Sequence, residues 1–229
     1  MAEPRDRMSP MFSFGPIRRD RQSGQASPDP STQSAQRGQV SGDTPPDRTA
    51  NAAADLRQWA GASRATLAIA FTDVVSSAAL GNKLGDRGMD AVRRTHFAHV
   101  EQLVRAHDGF VIKTIGDSVM AGFRAATNAL DFALAVHADP GDRRIRVRVG
   151  VHVGPVTVEQ RDAHGVTVNY ASRVAGAPKD AEVWLSSEAR THVAQERAPQ
   201  HEPLHWQPHG GLVLKGFPGK HILWSVAQA

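Results

Sequence analysis

The stretch Phe110-Val-Ile-Lys-Thr-Ile-Gly-Asp-Ser-Val-Met-Ala-Gly-Phe123 decides how the rest of this sequence is read. Two short runs rich in Val, Ile and Phe flank Gly116-Asp117, and Gly-Asp between such runs predicts a two-residue β-hairpin. Its tip then holds a carboxylate on a rigid element, a placement that suits a metal ligand. Asp is also an ordinary turn residue, so the hairpin alone leaves the role of Asp117 open. The residues around it decide.

On the N-terminal side, Leu67 to Val75 is an apolar run broken only by Thr72-Asp73. Its length and β-branched content predict a buried strand ending at Asp73, with a helix start at Ser76-Ser77. A helix is expected from Asp86 to His107, with Met89, Val92, His96 or Phe97, Val100, Leu103 and Val104 on one face, closed by Asp108-Gly109. Past the hairpin, Ala125 to Ala138 reads as a second helix, stopped by Pro140-Gly141. Arg144 to Val153 alternates, with Ile145, Val147, Val149 and Val151 on one face and Arg144, Arg146 and Arg148 on the other. This predicts a half-exposed strand with a solvated arginine face. Strand, helix, hairpin, helix, strand is the βαββαβ order of a ferredoxin-like split βαβ fold, an α+β class. A helix near Val168–Ala175, a strand at Glu182–Leu185 and a pair at Leu212–Leu214 and His221–Val226 extend it into a C-terminal αβ part with an antiparallel or mixed sheet.

The 229-residue chain has no cysteine, which excludes disulfides, thiolate metal sites and a cysteine nucleophile. Its formal charge of +4 is interspersed rather than clustered, a weak pointer to polyanionic partners. Residues 1–63 read as an extension and 64–229 as the globular domain. Half of the fourteen prolines lie in the first fifty residues, whose Pro, Ser, Gln and Arg content predicts disorder. Met11, Phe12 and Phe14 there are either a docking motif for a regulatory partner or a stray apolar cluster. Ala52 to Ala62 is expected to form a short linker helix with Leu56 and Trp59 on one side. No apolar run approaches the roughly 20 residues that span a bilayer, and the start lacks a signal-peptide core. The expected setting is cytoplasmic, without membrane contact.

Asp73 and Asp117 are expected to meet at one edge of the sheet, and two carboxylates a few ångströms apart repel unless a cation lies between them. Hard divalent ions take oxygen ligands and leave room for substrate phosphates, so phosphoryl transfer is the natural chemistry. Here the sequence resembles a family. Phe-Thr-Asp-Val-Val-Ser-Ser at 71–77, Lys-Thr-Ile-Gly-Asp at 113–117, Arg-Val-Gly-Val-His-Val-Gly-Pro-Val at 148–156 and Val-Asn-Tyr-Ala-Ser-Arg at 168–173 resemble, in order and spacing, the class III nucleotidyl cyclases.

The resemblance implies two Mg²⁺ or Mn²⁺ ions held by Asp73, Asp117 and the backbone of Val74. Val74, Ser76 and Ser77 would wrap the phosphates, helped by a lysine of Leu-Lys-Gly at 214–216, Lys215 or else Lys220. Asn169 would hold the ribose, and Arg173 the charge that grows on the α-phosphate. Lys113 and Asp162 fall where the family selects adenine. A lysine donates to the ring nitrogen and an aspartate accepts from the 6-amino group, whereas guanine presents an oxygen there. Asp162 in Asp-Ala-His-Gly is also readable as a plain turn. Ser76 and Ala78 stand where the family usually has Gly and Thr, and His164 where an aromatic residue is common. The implied protein is a homodimeric adenylate cyclase making 3′,5′-cyclic AMP and pyrophosphate from ATP, each site shared between two chains.

Three rivals accompany that reading. One is a non-catalytic cyclase-like regulatory domain, which would lack a key residue. Another is a guanylate cyclase. The third is an RNA-binding module of the same layout, which needs paired aromatics that Ser118-Val119-Met120-Ala121-Gly122 does not offer, so no nucleic-acid partner is expected. His201, His205 and His209 recur every four residues, but Pro203 and Pro208 exclude one helix and predict a polar loop rather than a zinc site. Gly216 to Lys220 lacks the first glycine of a P-loop.

Overall fold

In chain order, a computed structural model contains α1 (Leu56–Ala60), β1 (Arg64–Val74), α2 (Ser77–Ala106), β2 (Phe110–Ile115), β3 (Ser118–Phe123) and α3 (Ala126–Ala138). There follow β4 (Val147–Val158), β5 (Ala163–His164), α4 (Val166–Ala175), β6 (Val183–Ser186), α5 (Ser187–Glu196), β7 (Leu204–Leu212) and β8 (His221–Gln228). Residues 55–197 and 203–228 are described, and all lie in the unit Arg48–Ala229 of a chain that divides after Asp47. The expectations for the first fifty-four residues, and for His201, fall outside them.

The predicted hairpin forms as a two-residue turn between Ile115 and Ser118, with Gly116 at φ +64. A positive φ at the first central residue alone defines the type II′ turn that matches strand twist. The sheet order is β2-β3-β1-β4-β6-β8-β7, with β5 on β4. β1 runs antiparallel to both β3 and β4, which is the arrangement expected of the split core, and β4 to β6 is the parallel step that adds the C-terminal part. Ala68, Ala70 and Val74 of β1, with Val147, Val149 and Val151 of β4, face a core shared with α2, α3 and α5. Leu67, Ile69 and Phe71 face the other way, toward α1 and α4.

Several boundaries differ from expectation. α2 starts at Ser77, and the sequence break at Gly85 is a kink with φ +68 inside a longer helical run. The fourth strand starts at Val147 and runs on to Val158, because Arg144 folds back onto Asp142 in a turn (Nη2 to Oδ2 2.6 Å). Its arginine face is not simply solvated, as the site shows below. α5 was not foreseen, since it is largely polar and buries only Ala189 and Val193. β7 replaces the loop expected around His205 and His209 and the strand expected at Leu212–Leu214: His209 stacks on Trp184 at 4.2 Å and shares a hydrogen bond with Ser225 Oγ at 2.9 Å.

Gly150 sets how closely α4 approaches the sheet. A Cβ built there would lie 2.0 Å from the backbone N of Ala175, and the facing atom is a helix backbone that cannot rotate away. Gly150→Ala must push α4 off β4, at a cost of about 3 kcal/mol or more, lowering the melting temperature by roughly 6–12 °C for a domain of this size. Gly176→Ala, whose Cβ would meet nothing nearer than 3.5 Å, is the matched control in the same thermal unfolding experiment, and its melting temperature stays within about 3 °C of the parent.

Candidate active site

Asp73 occupies the penultimate position of β1, on the α4 side of the sheet. The register that pairs Thr72 with Val119 carries it to the hairpin tip, where its Oδ1 accepts a hydrogen bond from Ser118 Oγ at 2.9 Å. Thr72, buried behind it, accepts from the Val119 N–H at 3.1 Å and locks the two strands at this level. Opposite stands Arg148, whose Nε and Nη2 donate to Asp73 Oδ2 at 2.8 and 2.5 Å, while its Nη1 donates to the Pro178 carbonyl at 2.8 Å. A guanidinium fork on a carboxylate is a strong, directional pairing, and both side chains are only 25% exposed. Arg148 is the residue at this candidate site that sequence reasoning missed. Its signal was present: the positions that share its strand face are Gly150, His152 and Gly154, a pattern of a face approached closely by another element rather than one open to water.

Asp117 follows the turn glycine, and its Oδ2 is sealed from solvent without a hydrogen-bond partner among the described residues. A buried carboxylate oxygen left unpaired is costly and calls for a missing partner. An oxygen-seeking divalent cation fits that demand, with Asp73 beside the same hairpin as second carboxylate. Among the described residues no group of three or more His, Asp or Glu converges, so the other ligands would be backbone, water and phosphate oxygens. A cleft of about 250 Å³ opens here, lined by Phe71, Asp73, Ile115, Ser118, Ser172 and Gly176.

Directly after Asp73 the chain turns into α2. Val74 ends β1, Ser76 adopts the left-handed conformation with φ +57, and the helix begins at Ser77. No side chain caps this end and no acidic residue sits in its first turn, so its first amide donors remain open toward an anion. Ser76 is exposed, so its Cβ points away from the packed interior.

The second group of residues lies elsewhere. Lys113 Nζ donates to Asp162 Oδ2 at 2.7 Å across 49 residues of sequence, and the Ala163 N–H donates to Asp162 Oδ1 at 2.8 Å. A β-bulge between Val111 and Lys113 re-aims β2 at this point. Desolvation pushes the Asp162 carboxyl up, but the Lys113 hydrogen bond, the Ala163 amide and the charges of Lys113 and His164 outweigh it and hold it below the usual carboxylate value. Asp162 does stand in a turn, with the Glu159 N–H donating to its carbonyl at 2.8 Å, and the turn leaves its carboxylate directed to Lys113. It lines a cleft of about 690 Å³ with Arg57, Glu159 and Gln160, separate from the cleft beside Asp73.

Asn169 and Arg173 sit four residues apart on the exposed face of α4. Asn169 is inside the helix rather than capping it, its N–H donating to the Gly165 carbonyl at 3.3 Å. Arg173 Nε donates to the Lys215 carbonyl at 3.0 Å, tying α4 to the loop between β7 and β8. Within one chain these two residues do not join Asp73: the wall that α4 gives to the Asp73 cleft is Ser172, Ala175 and Gly176.

Residues 62–227 match the family described as the adenylate and guanylate cyclase catalytic domain. An adenylate cyclase of Streptomyces coelicolor is 32% identical over 139 residues, which are 59% of this chain and 36% of that protein, so the chain spans little more than a third of this relative's length. Among solved structures, the adenylyl cyclase CyaB of P. aeruginosa superposes with a TM-score of 0.63 at 19% identity, covering 72% of this chain and 95% of that one. The guanylate cyclase domain of RhGC from Catenaria anguillulae, in complex with GTP, superposes with a TM-score of 0.60 at 21% identity, covering 71% and 96%. Both structures share the fold, and the fold therefore does not separate ATP from GTP. With residues 62–227 of its 229 matched, the chain belongs to the adenylate and guanylate cyclase catalytic domain family.

Proposed function

We propose that this domain is an adenylate cyclase, converting ATP to 3′,5′-cyclic AMP and pyrophosphate at sites completed by a second copy of the chain. The observation that carries the base assignment is the Lys113–Asp162 pair at 2.7 Å. Lys113 offers a donor and Asp162 a spare acceptor, which suit the ring nitrogen and the 6-amino group of adenine. Guanine would bring its O6 acceptor against the carboxylate and its ring N–H against the ammonium, an unpaired arrangement that a site discriminates strongly against once bound nucleotide excludes water from it.

Asp73, Asp117 and the backbone of Val74 would hold the divalent cations, which when bound supply charge neutralisation of the triphosphate. The remaining work belongs to the chain itself. Open amides at Ser77 and the start of α2 cradle phosphate oxygens, with Val74 and Ser76 shaping the loop. Asn169 orients the ribose so that its 3′ oxygen lines up with the α-phosphorus; the new O3′–P bond forms as the bond to the β-phosphate oxygen breaks, and the 3′ proton is released. Arg173 stabilises charge on the α-phosphate oxygens, and its bond to the Lys215 carbonyl supports Lys215 over Lys220 as the nearby phosphate-binding lysine.

Arg148 has two tasks in this scheme. Before cation binding it neutralises Asp73; afterwards its guanidinium is released beside the triphosphate. Arg148→Ala should therefore tighten Mn²⁺ binding in the absence of nucleotide by about tenfold or more, the scale of a charge-assisted hydrogen bond, while lowering turnover. Calorimetric titration with Mn²⁺ reads the first effect, and unchanged or weaker Mn²⁺ binding would count against the competition.

Base choice is checked with purified protein, ATP or GTP, Mn²⁺ or Mg²⁺, and detection of cyclic nucleotide. Wild type should favour ATP, and the double variant Lys113→Glu, Asp162→Ser should raise relative use of GTP by about a hundredfold. An ATP preference that survives both changes places base selection on other residues.

Two separate clefts, one with Asp73 and one with Asp162, support a homodimer in which each site takes Asp73 and Asp117 from one chain and Lys113, Asp162, Asn169 and Arg173 from the other. Asp73→Ala and Arg173→Ala should each be inactive alone. Mixed in equal amounts with free exchange, about half the dimers are hybrids with one intact site in two, so activity should recover to about one quarter of wild type. A mixture that stays inactive while a tagged pull-down shows exchange rules out shared sites.

A further inference from the structure

The Lys113–Asp162 pair presents a positioning problem. Strands β3 and β1 lie between β2 and β4, so the two residues are brought together across about 14 Å of sheet. Their side chains are 37% and 29% exposed, and an ion pair that open to water does not hold two strands in place by its own strength.

What spans that face is α1. Leu56 is fully buried in a cluster containing Ile112 and Ala163, the chain neighbours of Lys113 and Asp162. The Leu56 N–H donates to the Gln160 carbonyl at 2.9 Å, and just beyond the helix the Ser63 carbonyl accepts from the Val158 N–H at 2.8 Å, so the loop bearing Asp162 is pinned by main-chain bonds on both sides. At the other end Trp59 packs on Phe110, the first residue of β2, with ring centroids 5.6 Å apart. Arg124, which follows β3, lies over the Trp59 ring at 5.0 Å and donates to its carbonyl. Gly122 of β3 leaves the space: a Cβ there would stand 3.3 Å from Ile112 and 3.8 Å from Trp59.

The helix is only one turn long, yet both ends are closed. Asp55 Oδ1 accepts from the Arg57 N–H at 2.7 Å, and Gly61 at φ +79 returns its N–H to the Arg57 carbonyl at 3.0 Å. Caps of this kind fix the direction of a helix too short to persist alone.

We infer that α1 is part of the base-recognition apparatus: Leu56 and Trp59 are positioning residues that hold Lys113 and Asp162 in register, and the choice of ATP over GTP passes through them. This rests on the adenine-selecting role given above to that pair. A helix that merely adds stability would lower activity toward both nucleotides alike when weakened; one that positions the pair would alter their ratio.

The test uses the full chain with Leu56→Ala, the milder Trp59→Ala, the conservative Leu56→Met, and Val193→Ala as a cavity in the opposite core, where Val193 is 2% exposed. Two readouts are taken. Titration of the Asp162 carboxyl by ¹³C NMR should give a value below the ordinary carboxylate range in wild type, Leu56→Met and Val193→Ala, moving back toward ordinary in Leu56→Ala and Trp59→Ala. The ATP-to-GTP ratio of kcat/KM should fall about tenfold or more in the last two, mainly through KM for ATP, since sub-ångström misplacement of a recognition group has effects of this size. If Asp162 titrates alike in all variants, the proposal is overturned whichever nucleotide the enzyme uses. A ratio that falls equally in Val193→Ala also overturns it, as loss of general stability. If Asp162 shifts while the ratio holds, and the Lys113→Glu, Asp162→Ser protein holds it too, α1 positions the pair and the base assignment is what fails.

Discussion

Everything in this domain depends on the antiparallel register between β1 and β4, which runs unbroken from Arg64 opposite Thr157 to Val74 opposite Val147. Side chains alternate faces with a period of two, so a slip of one residue would turn Asp73 into the helical core and bring Thr72 out in its place. The register is over-determined. Ala68, Ala70, Val149 and Val151 face one core, while Leu67, Ile69 and Phe71 face the other. Gly150 and Gly154 let α4 lie directly on β4, with Ala175 and Thr167 in the space their side chains would fill.

That register places opposite charges together. Asp73 and Arg148 are paired Cα partners, and the guanidinium fork spans the two strands. Charges withdrawn from water are tolerated when paired and hydrogen-bonded, and here Ser118 and the Pro178 carbonyl complete the set. Asp117 breaks the rule with its unpaired oxygen. Among the described residues, one carboxylate is held by an arginine and the other has an oxygen without a hydrogen bond and only the charge of His96 nearby, the pattern on which the proposed cation site rests, and the open N-terminus of α2 lies at the same end of the sheet.

The other candidate site residues use the same sheet differently. Lys113 and Asp162 converge over its α1 side, in a cleft distinct from that of Asp73, while Asn169 and Arg173 project from the exposed face of α4. Among the described residues a single chain thus carries two groups of side chains that it does not unite, which is the observation behind the proposed two-fold pairing of identical chains. Short, capped and buried at Leu56, α1 ties the loop bearing Asp162 to the sheet.

By itself the sequence determined the elements whose information is local. The Gly116-Asp117 turn, the apolar run of β1, the amphipathic α2 and α3, and the β-α-ββ-α-β order all followed from turn chemistry and hydrophobic period, and the four motifs were enough to identify the family. Even the meeting of Asp73 with the hairpin was legible, since neighbouring strands are a property of that order. Other features belong to the tertiary structure alone. Arg148 read as a solvated strand arginine because alternation reveals the face of a side chain but not what covers that face, and its partner is 75 residues away. Lys113 and Asp162 were legible as types and positions, yet their contact needs a bulge at Ile112, a hairpin after β4 and a helix bridging both. α5 and β7 escaped because neither has a strong apolar period: α5 buries two residues, and β7 is an edge strand broken by Pro208 and two glycines. Such elements take their conformation from the surface they pack against, and that surface exists only once the sheet has formed.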